Sequence, residues 1–254
     1  MGAWLLRWCY VFASLSMARS GVLVNSASKF KSCCHGKHDL DLAEFVKATN
    51  DFLKFLRLLG PWTAASISET RACLTKVEEA CTLLEAQRLA ASSNSIKKRR
   101  AHRLKTVMDL LDAEVASGVH GKGGAIADPS AAMGLLWVRR GLEHWAALFG
   151  LEAQRLKASG TVEGGRGAFA KQGQSAYDAT VGPFHGWVAR NAFKLTLQAA
   201  PEWEVVRKRS GLPAASYKDL RRELREWEKA VTALTKRLRL LHDRYDCEDC
   251  RKTY

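Results

Sequence analysis

The sequence predicts an all-α protein, and three observations support this prediction. Long stretches carry Leu, Ala, Glu, Arg and Lys, with apolar residues repeating at helical spacing. The apolar–polar alternation that is typical of half-buried strands is scarce, and only five prolines interrupt the 254 residues. Because 47% of the residues are hydrophobic, the chain can also bury a sizeable packed core.

The first 38 residues differ in composition from the rest of the chain. They contain no Asp or Glu, but several Lys, Arg and Ser residues. The stretch "WCYVFASLSMA" is compatible with a signal-peptide core cleaved near Ala18, with part of an organelle transit peptide, or with a disordered tail. We therefore predict a basic tail or targeting segment at 1–38 and a domain at 39–254. No apolar stretch reaches the ~20 residues that span a bilayer.

Three helices are predicted in the first half of the domain. The pattern "DLDLAEFVKATNDFLKFLRLLG" starts at Asp39, is apolar at helical spacing, and stops at Gly60-Pro61. The second helix is "SISETRACLTKVEEACTLLEAQRLAA", with Ser66 or Ser68 as its N-cap. The third is "TVMDLLDAEVASG".

A fourth helix contains "GLLWVRRGLEHW", at 134–145, which combines helix formers with two arginines and two tryptophans. Its core-facing stripe comprises Leu135, Leu136, Val138, Leu142 and Trp145. Trp137 lies off this stripe. It therefore either packs against a neighbouring helix or offers a flat surface to a ligand.

The remaining chain predicts one flexible connection and three further helical segments. Residues 157–174 are Gly-rich and predict the connection. "SAYDATVGPFHGWVARNAFKLTLQAAP" predicts two helices separated at Gly182-Pro183 and closed by Pro201. "SYKDLRRELREWEKAVTALTKRLRLLHDRY" predicts one long final helix. The total is seven or eight helices in one domain.

The net charge of +14 predicts attraction to an anionic partner, either nucleic acid or an acidic membrane surface. The run "KKRRAHRLK", at 97–105, invites a nucleic-acid interpretation. However, the sequence lacks a recognisable groove-reading helix or base-stacking surface. We therefore interpret the run as a solvated loop attracted to membranes, and we expect no nucleic-acid partner.

Metal and catalytic motifs are not recognisable in the sequence. The seven cysteines are irregularly spaced, and the single C-x-x-C pair, Cys247 and Cys250, has no second pair at zinc-site spacing. There is no nucleophile elbow, H-E-x-x-H motif or phosphate-binding loop. We therefore expect neither an enzyme nor a bound metal or cofactor.

Two further groups of residues could bind a ligand. Glu69, Cys73 and Lys76 lie at i, i+4 and i+7, so they share one face of the second helix. His185 stands in "GPFHGW", directly after the Gly182-Pro183 break.

Over residues 40–245 these segments, in this order, resemble the glycolipid transfer protein family. "GLLWVRRGLEHW" is similar to its L-W-L-K-R-G-L segment, and "GPFHGWVARNAFKLTLQAAP" to its Y-H-G-W segment, which also ends in A-A-P. "ETRACLTKV" takes the place of its D-x-x-x-N-x-x-K helix. The resemblance implies a two-layer sandwich of about eight helices that encloses an apolar tunnel and carries one sphingolipid.

The resemblance also implies roles for individual residues. In this family a tryptophan stacks on the first sugar, the helix motif binds sugar hydroxyls, and a histidine binds the ceramide amide. The corresponding or supporting head-group residues are Glu69, Cys73, Lys76, Trp137, Arg140 and His185. Phe193 and Leu197 would line the tunnel, and Trp187, Arg190 and Lys194 would dock on the membrane.

The motif residues depart from the family pattern at two places, because Glu69 replaces an aspartate and Cys73 replaces an asparagine. The family's phosphate-binding branch tends to be basic at the positions of Cys73, Trp137 and Gly141, and none of these is basic here. We therefore expect a monomeric, cytoplasmic carrier of a glycosylceramide-type lipid that contacts membranes peripherally. The alternatives are a carrier of ceramide-1-phosphate or another sphingolipid, and a ligand-free basic scaffold or nucleic-acid-binding protein.

Overall fold

The structure is a computed structural model that describes residues 21–91, 103–121, 125–213 and 215–251. These residues form nine α-helices. They are α1 (Val22–Ser32), α2 (Leu42–Leu59), α3 (Ala64–Ala91), α4 (Val107–Ala116), α5 (Ala131–Ser159), α6 (Ala168–Ala179), α7 (Trp187–Gln198), α8 (Trp203–Ser210) and α9 (Tyr217–Arg244). Two 3-10 turns, Pro61–Thr63 and Gly182–Phe184, precede α3 and α7. The all-α fold class is confirmed.

The strand content of the described residues is a single two-stranded hairpin. Strand β1 (Cys34–His35) pairs antiparallel with β2 (Asp39–Leu40), with Cys34 opposite Leu40. Asp39 therefore belongs to the hairpin, and the helix predicted from this residue begins three residues later. Asp41 caps it, because its side chain accepts a hydrogen bond from the backbone N–H of Glu44 (2.9 Å).

Helix α5 is the central element of the packing. It packs mainly against α9 and α3 and also against α6, while α1 packs against α9 and α2. Its N-terminus is fixed by two side chains. The Ser130 hydroxyl accepts from the Met133 N–H (3.0 Å), and the buried Glu114 carboxylate accepts from the N–H groups of Ala131 and Ala132. An acceptor at these positions satisfies N–H groups that have no partner within the helix.

Helix α1 is part of the packed domain, which corrects the predicted start at residue 39. Leu23, Ala27 and Phe30 are fully buried, and the Phe30 ring meets the Trp227 ring edge-on at 6.0 Å. The Trp227 indole N–H also donates to the Ser26 hydroxyl (3.0 Å). In the sequence this acid-free segment resembles a tail, because the residues that stabilise it lie about 200 positions later, on α9. The proposed targeting core lies at 8–18, outside the described residues.

Two other local predictions need correction. Helix α3 begins at Ala64, directly after the 3-10 turn, so Ser66 and Ser68 lie inside the helix and neither is its N-cap. The Gly-rich connection is shorter than predicted, because residues 168–174 belong to α6. The buried Phe169 ring anchors this helix against the rings of Trp62 and Trp203.

Helices α3 and α5, which carry two of the candidate site motifs, approach each other closely at Gly134. A Cβ atom on Gly134 would lie 2.5 Å from the backbone carbonyl oxygen of Cys73 and 2.9 Å from the Val77 side chain. Only a glycine allows the helices to cross so closely. Trp137, which lies one turn after this crossing, lines the same cavity as Glu69 and Cys73.

None of the helices in the described part of the chain is long and apolar enough to cross a membrane. Of the basic run at 97–105, only residues 103–105 are described, so the interpretation of residues 97–102 lies outside the described residues.

Candidate functional site: an aromatic cavity between α3, α5, α6 and α7

A cavity of about 330 Å³ opens between α3, α5, α6 and α7. Most of its wall is apolar or aromatic, and it lies within the size range of small-molecule sites. The wall is formed by Trp62, Thr63, Ala65, Ser66, Glu69, Thr70, Cys73, Trp137, Gly141, His144, Trp145, Tyr177, Val181, His185, Ala189, Ala192, Phe193 and Thr196. Among these residues Glu69 is the only acid, and none is Lys or Arg.

Trp137 and His185 stand together on the cavity wall, as predicted from the two separate motifs. Their rings are stacked, with centroids 5.4 Å apart and an interplanar angle of 27°. Trp137 comes from α5, and His185 lies in extended backbone after the Gly182–Phe184 turn. The indole is half-buried, so part of its face is available to a ligand.

A hydrogen bond from a third helix fixes the His185 ring. The Tyr177 hydroxyl lies 2.8 Å from His185 Nδ1. Burial lowers the pKa of His185, and the positive charges of Arg190 and Arg140 lower it further, so the imidazole is neutral at pH 7. Burial also raises the pKa of Tyr177 to about 12, which keeps its hydroxyl protonated. A hydroxyl that donates to Nδ1 leaves the proton on Nε2.

Glu69 and Cys73 lie on the α3 side of the cavity. The Glu69 carboxyl makes no hydrogen bond or ion pair with any described residue, and burial against the surrounding protein raises its pKa. Glu69 is nevertheless an exposed residue, so its carboxyl stands at the mouth of the cavity, where solvent reaches it. Burial raises the pKa of the Cys73 thiol to about 11, so this side chain is a neutral thiol at pH 7.

Lys76 and Leu197 are not on the cavity wall, in contrast to the sequence-based expectation. The Lys76 ammonium donates to the Asp128 carboxylate (2.5 Å). Leu197 is buried against α6, where a Cβ on Gly173 would lie 2.8 Å from it. Phe193 does line the cavity, and its ring stacks on Tyr177 with centroids 3.8 Å apart.

Arg140 lies behind Trp137, outside the cavity wall. Its guanidinium carbon is 5.1 Å from the Trp137 ring centroid and 3.5 Å from the Phe184 ring centroid. It also donates to the Glu248 carboxylate (3.3 Å) and to the backbone carbonyl of Asp249. Arg140 is therefore a buried support for the two aromatic rings.

Helix α7 presents an apolar surface to solvent. The exposed fractions of Trp187, Val188 and Leu195 are 79%, 62% and 65%. Lys194 is exposed beside them, whereas the Arg190 guanidinium donates to the carbonyls of Gly182 (3.1 Å) and His185 (2.9 Å). Arg190 thus also holds the turn that carries His185.

Sequence reasoning missed several residues of the cavity wall, including Trp62, Thr70, His144 and Tyr177. For His144 a signal existed, because Trp137, Gly141 and His144 lie at i, i+4 and i+7 and so share one helix face. Burial lowers the pKa of His144 to about 4, so this imidazole is also neutral. No sequence pattern links Trp62 or Tyr177 to the cavity.

The fold and site define an all-α protein with an aromatic-lined cavity and a polar mouth. The family model for glycolipid transfer protein matches residues 40–210. The chain therefore belongs to the glycolipid transfer protein family, as the resemblance of its motifs predicted. No curated protein matches the sequence.

Solved structures whose titles concern ceramide-1-phosphate and simple glycosphingolipids share this fold. Human ceramide-1-phosphate transfer protein in complex with 12:0 ceramide-1-phosphate is 15% identical, with a TM-score of 0.68 over 91% of this chain and 99% of that chain. A structure titled for how FAPP2 selects simple glycosphingolipids is 19% identical, with a TM-score of 0.69 over 91% and 99%. A mutant of Arabidopsis accelerated-cell-death 11, complexed with C12 ceramide-1-phosphate, is 16% identical, with a TM-score of 0.64 over 89% and 96%. These similarities show the fold and leave the head group open.

Proposed function

We propose that this protein is a non-enzymatic carrier that binds one sphingolipid in the cavity and moves it between membranes. The lipid has an uncharged, glycosylceramide-type head group. The observation that carries the proposal is the stacked pair of Trp137 and His185 beside the free carboxyl of Glu69, with an aromatic cavity behind them.

The mouth of the cavity suits a ceramide amide. A ligand that enters an apolar cavity must have its amide N–H and carbonyl paired, since each unpaired group costs about 1–3 kcal/mol. In the tautomer in which His185 Nδ1 accepts from the Tyr177 hydroxyl, the Nε2–H of His185 donates to the ceramide carbonyl. The Glu69 carboxyl accepts from the N–H. The hydrocarbon then lies against Phe193, Trp62 and Trp145.

The charges around the mouth favour an uncharged head group. A phosphate would lie near Glu69 without a cation on the cavity wall to compensate it. Lys76 is paired with Asp128, and Arg140 is paired with Glu248 behind the indole. A sugar, in contrast, offers an apolar face to Trp137 and hydroxyls to Glu69 and Thr70.

The chemistry of the wall supports a carrier rather than a thiol enzyme. Cys73 is the nucleophilic candidate in the cavity, and burial together with the Glu69 charge raises its pKa to about 11. A thiol must be deprotonated to act as a nucleophile, and this environment opposes deprotonation.

Transfer of fluorescent sphingolipids between vesicles tests the proposal. We expect the protein to extract glucosylceramide with one lipid per protein and to deliver it to acceptor vesicles. Ceramide-1-phosphate with the same acyl chain should be transferred more slowly. Failure to transfer any sphingolipid at physiological salt would contradict the proposal. Binding of RNA with a steep salt dependence would instead favour a basic scaffold.

The exposed surface of α7 is expected to bind the membrane. Trp187→Ala and Leu195→Ala should each lower binding to vesicles several-fold, because each removes an exposed apolar side chain that can enter the lipid interface. Vesicle sedimentation measures this binding. Leu83→Ala is the matched control for Leu195→Ala, since Leu83 is 59% exposed on α3. Equal losses in both leucine variants would contradict a docking role for α7.

A further inference from the structure

The residues that follow α9 return to α5 behind the cavity. We call residues 246–251 the C-terminal strap. Glu248 of the strap accepts hydrogen bonds from Arg139 at 2.7 and 2.5 Å and from Arg140 at 3.3 Å. Both arginines are almost fully buried, so the strap supplies their charge partner from a distant part of the chain.

Arg140 connects the strap to the head-group site. Its guanidinium packs on the ring of Trp137, which belongs to the stacked pair, and on the ring of Phe184, the residue before His185. The positive charge of Arg140 also acts on the cavity, since burial, Arg190 and Arg140 together lower the pKa of His185. A cation therefore stands directly behind the platform on which a head group would stack.

Glu248 is the carboxylate that compensates this cation. Burial alone would raise the pKa of Glu248, but Arg139 and Arg140 lower it overall, so the carboxylate is ionised at pH 7. A second carboxylate, that of Glu143, accepts hydrogen bonds from Arg139 (3.0 Å) and from Arg239 (3.0 Å). Without Glu248, Arg140 keeps its hydrogen bond to the backbone carbonyl of Asp249 and a longer-range attraction to the Asp249 carboxylate, which is itself paired with Arg251.

We propose that Glu248 is a positioning residue that sets the head-group charge selectivity of the carrier by neutralising Arg140 behind Trp137. This inference rests on the proposed function of the cavity. With Glu248 ionised, Arg140 adds no net charge behind Trp137. The charges that remain beside the stacked pair are the Glu69 carboxyl on the cavity wall, which disfavours an anionic head group, and Arg190, which is held by the carbonyls of Gly182 and His185. Removing the Glu248 charge takes away the carboxylate that is hydrogen-bonded to Arg140, and the attraction of Arg140 for a phosphate then acts through a low-dielectric protein interior.

The test compares transfer of ceramide-1-phosphate with transfer of glucosylceramide, both with the same acyl chain. Glu248→Gln retains a hydrogen-bond acceptor of nearly the same shape and removes the charge. We expect it to raise the ratio of ceramide-1-phosphate to glucosylceramide transfer roughly tenfold. A folded Glu248→Gln variant with an unchanged ratio would overturn the inference.

Two further variants separate selectivity from stability. Glu143→Gln makes the same chemical change at another partner of Arg139 that does not contact Arg140, so its ratio should equal that of the unaltered protein. Arg140→Gln removes the cation and leaves Glu248 paired with Arg139, so it should lower the ratio. Circular dichroism reports folding. If Glu248→Gln does not fold, an unchanged or raised ratio in Arg140→Gln overturns the inference.

The same experiment distinguishes this inference from the proposed function. If the unaltered protein transfers neither lipid, the proposed function fails and the inference fails with it. If it transfers glucosylceramide and the ratio responds to Glu143→Gln as strongly as to Glu248→Gln, only the inference fails.

Discussion

Replacing Trp137 by alanine is expected to reduce glucosylceramide transfer roughly thirtyfold or more. The variant loses the ring that stacks on His185 and that would cover one face of the sugar. The contacts of a large aromatic side chain with a ligand contribute about 2–3 kcal/mol, which corresponds to a factor of this size. Vesicle-to-vesicle transfer of fluorescent glucosylceramide measures the effect.

Trp137→Phe is the matched control for this prediction. A phenyl ring retains an aromatic face at the same position, so we expect it to keep a large part of the transfer rate. Trp137 is only half-buried, and its loss should lower the free energy of unfolding by about 1–2 kcal/mol. Normal transfer by a folded Trp137→Ala protein would show that the indole is not the head-group platform.

The largest effect on stability is expected for Phe30→Ala in α1. Phe30 is fully buried and contacts the rings of Phe52 and Trp227. Removing such a side chain leaves a cavity and costs about 3–5 kcal/mol of unfolding free energy. Urea denaturation followed by circular dichroism measures it.

The adjacent residue provides the control for α1. Lys31 is exposed on the same helix, so Lys31→Ala should change the unfolding free energy by less than about 0.5 kcal/mol. If both variants were as stable as the unaltered protein, α1 would not belong to the cooperative domain, and the start predicted at residue 39 would stand.

The long helices could be predicted from the sequence because their signals are local. Helices α2 and α9 each carry one apolar stripe, and the Gly60-Pro61 stop of α2 lies where the sequence placed it. Helix α1 could not be predicted in this way. Its burial depends on α9, and only the folded chain brings Phe30 to Trp227.

The candidate site was predictable in part for the same reason. Glu69, Cys73, Trp137, His185 and Phe193 line one cavity, and each belongs to a motif that the sequence alone distinguishes. The motif spacing did not reveal that two other candidate residues, Lys76 and Arg140, form ion pairs with acidic residues outside the motifs. Asp128 binds Lys76, and the distant Glu248 binds Arg140.

The close contact at Gly134 means that the spacing of α3 and α5 does not depend on the side chains that line the cavity mouth. Because a glycine lets two main chains touch there, the span between the α3 and α5 faces is set by backbone atoms. Side chains at positions such as Glu69 and Cys73 can therefore be exchanged without altering that span. Substitutions at these two positions are therefore expected to change which ligand is preferred while the distance between the two helices stays the same.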